Sequence, residues 1–185
     1  LKINTKKFLG PKYSLIDADY MKYKRKKNKA SNIIKNVFIY FGGDDSNNLI
    51  QKTIDAMSDK RLNYLNLFIV LPQNVEKELM KYYKNLSLKY QNIFIYHQQR
   101  SLALIISKCD IAIGAGGSTL WERIYFLLPS FIISTANNQV MACKSLAKNN
   151  IINYLGDAKY INKDKISDTL YKVLNDEKKL KKQIK

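Results

Sequence analysis

At 185 residues, 46% of them hydrophobic, the chain suits one domain with a real core, or two small ones at most. No apolar run approaches the roughly 20 residues of a membrane span, and Lys2, Lys6 and Lys7 interrupt any signal-peptide core at the N-terminus. The net charge of +17 does not argue for nucleic acid, because it comes from 28 Lys against 4 Arg, beside 18 Asn and 22 Ile. That is the bias of an AT-rich genome, whereas base readout and bidentate phosphate contacts favour Arg.

Residues 1 to 35 read as an irregular lead-in segment followed by a basic connection. Leu1 stands where an initiator Met would be, which reads as the start of an excised piece. Gly10-Pro11 marks a turn, and Tyr13 to Ile16 is a short apolar stretch that would pack on the edge of a domain. The run Lys22 to Lys29 has Tyr23 as its only aromatic, so it offers no base-stacking platform; it would be solvated and weakly drawn to anionic lipid surfaces.

From residue 36 a regular alternation begins. Val37 to Phe41 is a continuous β-branched and aromatic run, hence a buried strand, and Gly42 to Asn47 ends it. A helix follows on Leu49, Ile50, Ile54 and Met57, with Ser46 as its expected cap. Leu67 to Leu71 is the second strand and Val75 to Leu88 the next helix; Ile93 to Tyr96 is the third strand and Ser101 to Ser107 a short helix. Ile111 to Ile113 begins the fourth strand, which runs into Gly114, Ala115, Gly116 and Gly117 and then an amphipathic helix from Ser118. Ser130 to Ser134, a helix from Gln139 to Lys148, a strand at Ile151 to Leu155 and a helix from Lys163 to Lys182 complete the pattern. Strands alternating with helices predict a Rossmann-like, doubly wound parallel sheet of about six strands. Residues 36 to 185 would form that domain, and its ligand would bind at the carboxyl ends of the strands.

The loops at those ends carry the candidate chemistry. A helix start offers unpaired N–H groups and partial positive charge, so Gly117, Ser118 and Thr119 suit an anion, and Glu122 one turn on suits neighbouring hydroxyls. A nucleotide supplies both, as diphosphate and ribose. Gly42-Gly43-Asp44 has a phosphate-loop shape without the spacing of a P-loop or dinucleotide fingerprint, and a tight turn explains it equally well. Asn138 and Gln139 lie in an amide cluster suited to sugar hydroxyls, although turn formation explains Asn138 as readily. His97 lies on the same rim and is the sole histidine. With Cys109 and Cys143 far apart and no ligand spacing, neither a metal nor a cofactor is expected, and the cysteines read as cytosolic core thiols. Asp44 and Glu122 could face one pocket, but no triad and no well-placed carboxylate pair is present, so no catalytic residue is assigned.

Four stretches carry a resemblance: Gly10-Pro11-Lys12-Tyr13-Ser14-Leu15-Ile16, Phe41-Gly42-Gly43-Asp44, Gly114 through Glu122, and Asn138-Gln139. In content and order they resemble the C-terminal, nucleotide-binding half of GT-B proteins of the MurG type. Within that group they look most like the UDP-2,4-diacetamido-2,4,6-trideoxy-β-L-altropyranose hydrolases of pseudaminic acid biosynthesis and the related spore-coat polysaccharide proteins. The resemblance implies a cytoplasmic UDP-sugar-binding domain of a hydrolase in surface-glycan synthesis. Alternatives are the donor domain or subunit of a glycosyltransferase, and a non-catalytic nucleotide-sugar-binding module. It implies that Glu122 binds the ribose, that Gly117, Ser118 and Thr119 hold the diphosphate, and that Gly42 and Gly43 admit it. It further implies that residues 96 to 98, including His97, border the uracil and that Asn138 and Gln139 touch the sugar. In full-length members of the hydrolase group a separate N-terminal half carries the catalytic histidine, so the chain would work with that half or with a partner subunit; His97 does not match it.

Overall fold

The strands form where β-branched and aromatic residues run without interruption, because a parallel strand covered on both faces buries every side chain. A computed structural model of the chain describes residues 6, 10–23, 34–176, 178, 180 and 183. The basic connection at 24–33 and part of the C-terminal end of the last predicted helix lie outside the described residues. Among the described residues six strands are present: β1 (Asn36–Tyr40), β2 (Asn66–Val70), β3 (Ile93–Tyr96), β4 (Ile111–Ala115), β5 (Ser130–Ser134) and β6 (Asn153–Asp157). All pair in parallel in the order β3-β2-β1-β4-β5-β6. The order reverses between β1 and β4, where the chain crosses to the other half of the sheet.

Helices cover both faces. On one, α2 (Leu49–Met57), α3 (Lys77–Lys89) and α7 (Lys163–Leu174) bury Leu49, Ile54, Tyr83, Ile166 and Leu170 against Val37, Ile39, Ile69, Ile113 and Ile133. On the other, α4 (Ala103–Ser107), α5 (Thr119–Tyr125) and α6 (Asn137–Lys148) pack Ile105, Ile106, Leu120, Cys143 and Leu146 against Phe38, Ala112 and Ile132. Adjacent strand residues thus serve opposite cores, as the pleat requires. Both cysteines are buried and free of any disulfide. No helix among the described residues is long and apolar enough to cross a membrane.

Three local features differ from the sequence reading. The lead-in segment, expected to be irregular, contains a short helix, α1 (Asp19–Lys22), whose Tyr20 is buried with Phe38 and Phe126. The last strand lies two residues later than expected and carries a bulge: its partner register on β5 slips between Ile132 and Ile133, at Gly156 with φ +124. The cap of α2 is Asp45 and not Ser46, since the Asp45 carboxylate accepts from Leu49 N (2.7 Å) and Ile50 N (3.0 Å). Asp45→Ala should therefore cost about 1 kcal/mol of stability, readable by denaturant melts, with Ser46→Ala near neutral.

Candidate functional site

The site is built where strand order reverses, at the carboxyl ends of β1 and β4, a place where diverging crossovers leave a crevice. Tyr40 ends β1 and is paired with Gly114 of β4. Two cavities flank it. The first, about 340 Å³, is lined by Gly42, Gly43, Asp44, Ala115, Gly117, Ser118, Thr119, Thr135 and Gln139, among others. The second, about 220 Å³, is lined by Glu122, Gln73, Leu71, Gln98 to Leu102, and by Asp17 and Tyr20 of the lead-in segment. Tyr40 lines both.

The glycines of the rim have two separate duties. Gly42 adopts φ +103, a backbone that favours glycine, and a Cβ on Gly42 or Gly43 would meet nothing within 4 Å. A Cβ on Gly117 would find only Gln139 Nε2 at 3.9 Å, so this backbone is likewise open to the first cavity. Gly114 and Gly116 serve packing instead. A Cβ on Gly114 would stand 2.2 Å from the Tyr40 carbonyl oxygen and 2.1 Å from Arg123 Nη1, and one on Gly116 would stand 2.5 Å from Cys143 Sγ.

Arg123 is the residue that sequence reasoning passed over. It is fully buried, its Nη2 donates to the Ala115 carbonyl at 2.5 Å, and its Nε and Nη1 meet no hydrogen-bond partner among the described residues. Burial pushes its guanidinium down to about 10, still charged at neutral pH. A cation behind the β4–α5 turn, away from water, favours an anion in front of it. The signal was faint: Leu120 and Arg123, three residues apart, are the two buried residues of α5.

Glu122 faces the second cavity. Burial raises its carboxyl above the usual range, while a hydrogen bond from Tyr20 and the charge of Arg123 pull it back down. The same burial, then the Glu122 charge, raises the Tyr40 phenol. Gln139 accepts through Oε1 from Thr135 N (2.9 Å) and Oγ1 (3.3 Å), which places its amide nitrogen, a donor, on the Gly117 side. Ser118 and Thr119 stand at the start of α5, where Leu120 and Trp121 turn back to the Gly117 and Ser118 carbonyls.

Other expected site residues stand apart. Asp44 lines the first cavity and Glu122 the second, so the two carboxylates do not share a pocket. Asn138 is exposed on the first turn of α6, outside both cavities. His97 follows β3 with its Nε2 at 3.1 Å from the Gln73 carbonyl; it lines neither cavity, although Gln73 and Gln98 both line the second. Among the described residues no cluster of three His, Cys, Asp or Glu could hold a metal ion.

No family profile matches the chain. A curated relative, an uncharacterized protein of Methanocaldococcus jannaschii, is 31% identical over 133 residues, covering 68% of this chain and 26% of its own length. Among solved structures, the kitacinnamycin glycotransferase superposes with a TM-score of 0.62 at 14% identity, over 86% of this chain and 41% of that one. The spinosyn rhamnosyltransferase SpnG in complex with spinosyn aglycone matches with a TM-score of 0.61 at 17% identity, over 82% and 40%. The fold is the Rossmann-like α/β fold that these GT-B-type structures contain. A UDP-N-acetylglucosamine 2-epimerase from Listeria monocytogenes, described as putative in its structure, shares it with a TM-score of 0.63 at 10% identity, over 90% and 45%. The chain thus spans about a quarter of the archaeal relative and less than half of each of these structures.

Proposed function

We propose that the chain is the donor-binding half of a glycosyltransferase-type GT-B protein, with a UDP-sugar as its ligand. One observation carries the reading: Tyr40 separates a glycine-lined cavity from one with Glu122 in its wall, at the reversal of strand order. The diphosphate lies over Gly42, Gly43 and the backbone of Gly117, Ser118 and Thr119, with the buried Arg123 charge behind it. Ribose hydroxyls donate to Glu122, and the uracil lies along Gln98 to Ser101. The sugar is met by the Gln139 amide and, farther out, by Asn138. Asp44 and Asp45, which also line a third cavity with Glu76, disfavour phosphate on that side and keep the diphosphate toward Gly117. Residues 36 to 185 form the nucleotide-binding unit, the first 35 lead in from another part of the protein, and the Lys-rich connection adds weak attraction to anionic lipid surfaces.

The chemistry follows from what is held. When the bond from the anomeric carbon to the diphosphate breaks, negative charge grows on the leaving oxygens. Backbone N–H groups and Arg123 are already placed to stabilise it. We assign no general base among the described residues of the rim, and on this reading a second half or a partner subunit supplies that group. Transfer to an acceptor is favoured because the kitacinnamycin glycotransferase and the rhamnosyltransferase SpnG, which share the fold, are named as transferases. Hydrolysis is the second reading, favoured by the run Gly10 to Ile16. UDP release by the full reading frame, with and without an acceptor glycan, separates them: release that requires the acceptor means transfer, and release in water alone means hydrolysis. No release and no binding of any UDP-sugar contradicts both.

A further inference from the structure

Glu122 lines the second cavity with a hydrogen-bonded partner beside it. The Tyr20 hydroxyl, from α1 and 102 residues away in sequence, donates to Glu122 Oε2 at 2.5 Å. Tyr20 is 2% exposed, and its ring meets Phe126 edge-on, with centroids 5.6 Å apart, within a cluster that includes Phe38, Leu102 and Ile105. That packing allows the hydroxyl little choice of direction. Burial raises the phenol well above its ordinary value, so it remains a proton donor at any working pH. Its bond is the largest influence drawing the half-buried Glu122 back toward ionisation. A carboxylate oxygen that accepts one such bond still has a second lone pair, and Oε1 has two. Tyr20 and Glu122 line the same cavity, and Asp17 of the lead-in segment lines it with them.

We infer that Tyr20 is a positioning residue of the nucleoside site: it clamps Glu122 so that the carboxylate is presented to a ribose diol, which makes the lead-in segment part of the ligand site. The inference rests on the UDP-sugar reading above. Its consequence is that the segment leading in from any preceding domain is coupled directly to nucleotide occupancy.

Calorimetry on the 185-residue chain tests it with two ligands, UDP and 2′,3′-dideoxy-UDP, and the variant Tyr20→Phe. The variant keeps the buried ring and removes only the hydroxyl. UDP should bind about tenfold more weakly to it, the order expected for one charge-assisted hydrogen bond. Dideoxy-UDP should bind parent and variant within about twofold of each other, since it has no diol for Glu122 to read. Unchanged UDP affinity overturns the inference, and so does an equal loss for both ligands, which would mark Tyr20 as a merely structural residue. If the parent binds neither ligand, the UDP-sugar reading itself fails and this role falls with it. Should Tyr20→Phe unfold, 3-fluorotyrosine replacing Tyr20 gives a second readout. Its fluorine resonance should move on adding UDP and stay in place with dideoxy-UDP; no movement with UDP overturns the inference.

Discussion

Gly114→Ala should destabilise the chain by about 3–5 kcal/mol, at the severe end for a single methyl group. The new Cβ would lie 2.2 Å from the Tyr40 carbonyl oxygen, a backbone atom of the neighbouring central strand. It would also lie 2.1 Å from Nη1 of Arg123, which is wholly buried and tied to the Ala115 carbonyl. Neither neighbour has anywhere to go: β1 is paired on both sides, and moving Arg123 would leave its buried guanidinium without its hydrogen bond to the Ala115 carbonyl. Thermal melts should show a drop of roughly 6–20 °C for a domain of this size. Gly117→Ala, three residues on, is the control. Its Cβ meets nothing closer than 3.9 Å, so its melting temperature should match that of the parent.

Glu122→Gln should weaken UDP binding by about 30-fold or more, because on the proposed reading it removes the charge from the acceptor of the ribose diol while leaving an amide oxygen for Tyr20. Stability should move the other way. Burial raises the Glu122 carboxyl in the folded chain, so its ionisation opposes folding. The stability it contributes is full below its ordinary value of 4.5 and is lost as pH rises through the raised folded value. At pH 7 the variant, which has no charge to bury, should melt no lower than the parent. Binding has the opposite sense. As pH falls through that raised value the carboxylate is protonated, and the affinity ratio of parent to variant should shrink toward one. Calorimetry from pH 7 down to the ordinary value of 4.5, which the folded group exceeds, reads that ratio; a ratio independent of pH over that whole span would mean that Glu122 acts other than as a carboxylate acceptor.

The sheet was legible because a doubly covered parallel strand must be apolar at every position, and runs such as Val37 to Phe41 and Ile111 to Ala115 satisfy that. The end of β6 was not, because Gly156 introduces a bulge that lets Leu155 reach the core out of register. The helix α1 is a single turn, too short for any periodicity to show, and its one buried residue is a tyrosine among charged neighbours. The capping residue of α2 escaped because Asn48 holds a left-handed backbone, so the cap lies one residue farther back than Ser46.

The rim loops were also legible in the sequence as the place for ligand chemistry. The division of labour within them was not. Spacing marks Gly114, Gly116 and Gly117 alike, yet what each Cβ would strike depends on Arg123 and Cys143, brought in from α5 and α6. In the same way Asp44 and Glu122 both point to the rim, but Tyr40 stands between their cavities, a separation set by the pairing of β1 with β4.

The central claim is that the two cavities around Tyr40 hold a nucleoside diphosphate. Titration calorimetry of UDP into the 185-residue chain and into its Gly117→Ala variant tests this most directly. The account predicts saturable binding of one UDP per parent chain. It also predicts at least about tenfold weaker binding to a variant that melts like the parent, since the added methyl occupies diphosphate space without touching the fold. No binding heat at millimolar UDP, or equal affinity in parent and variant, would contradict it.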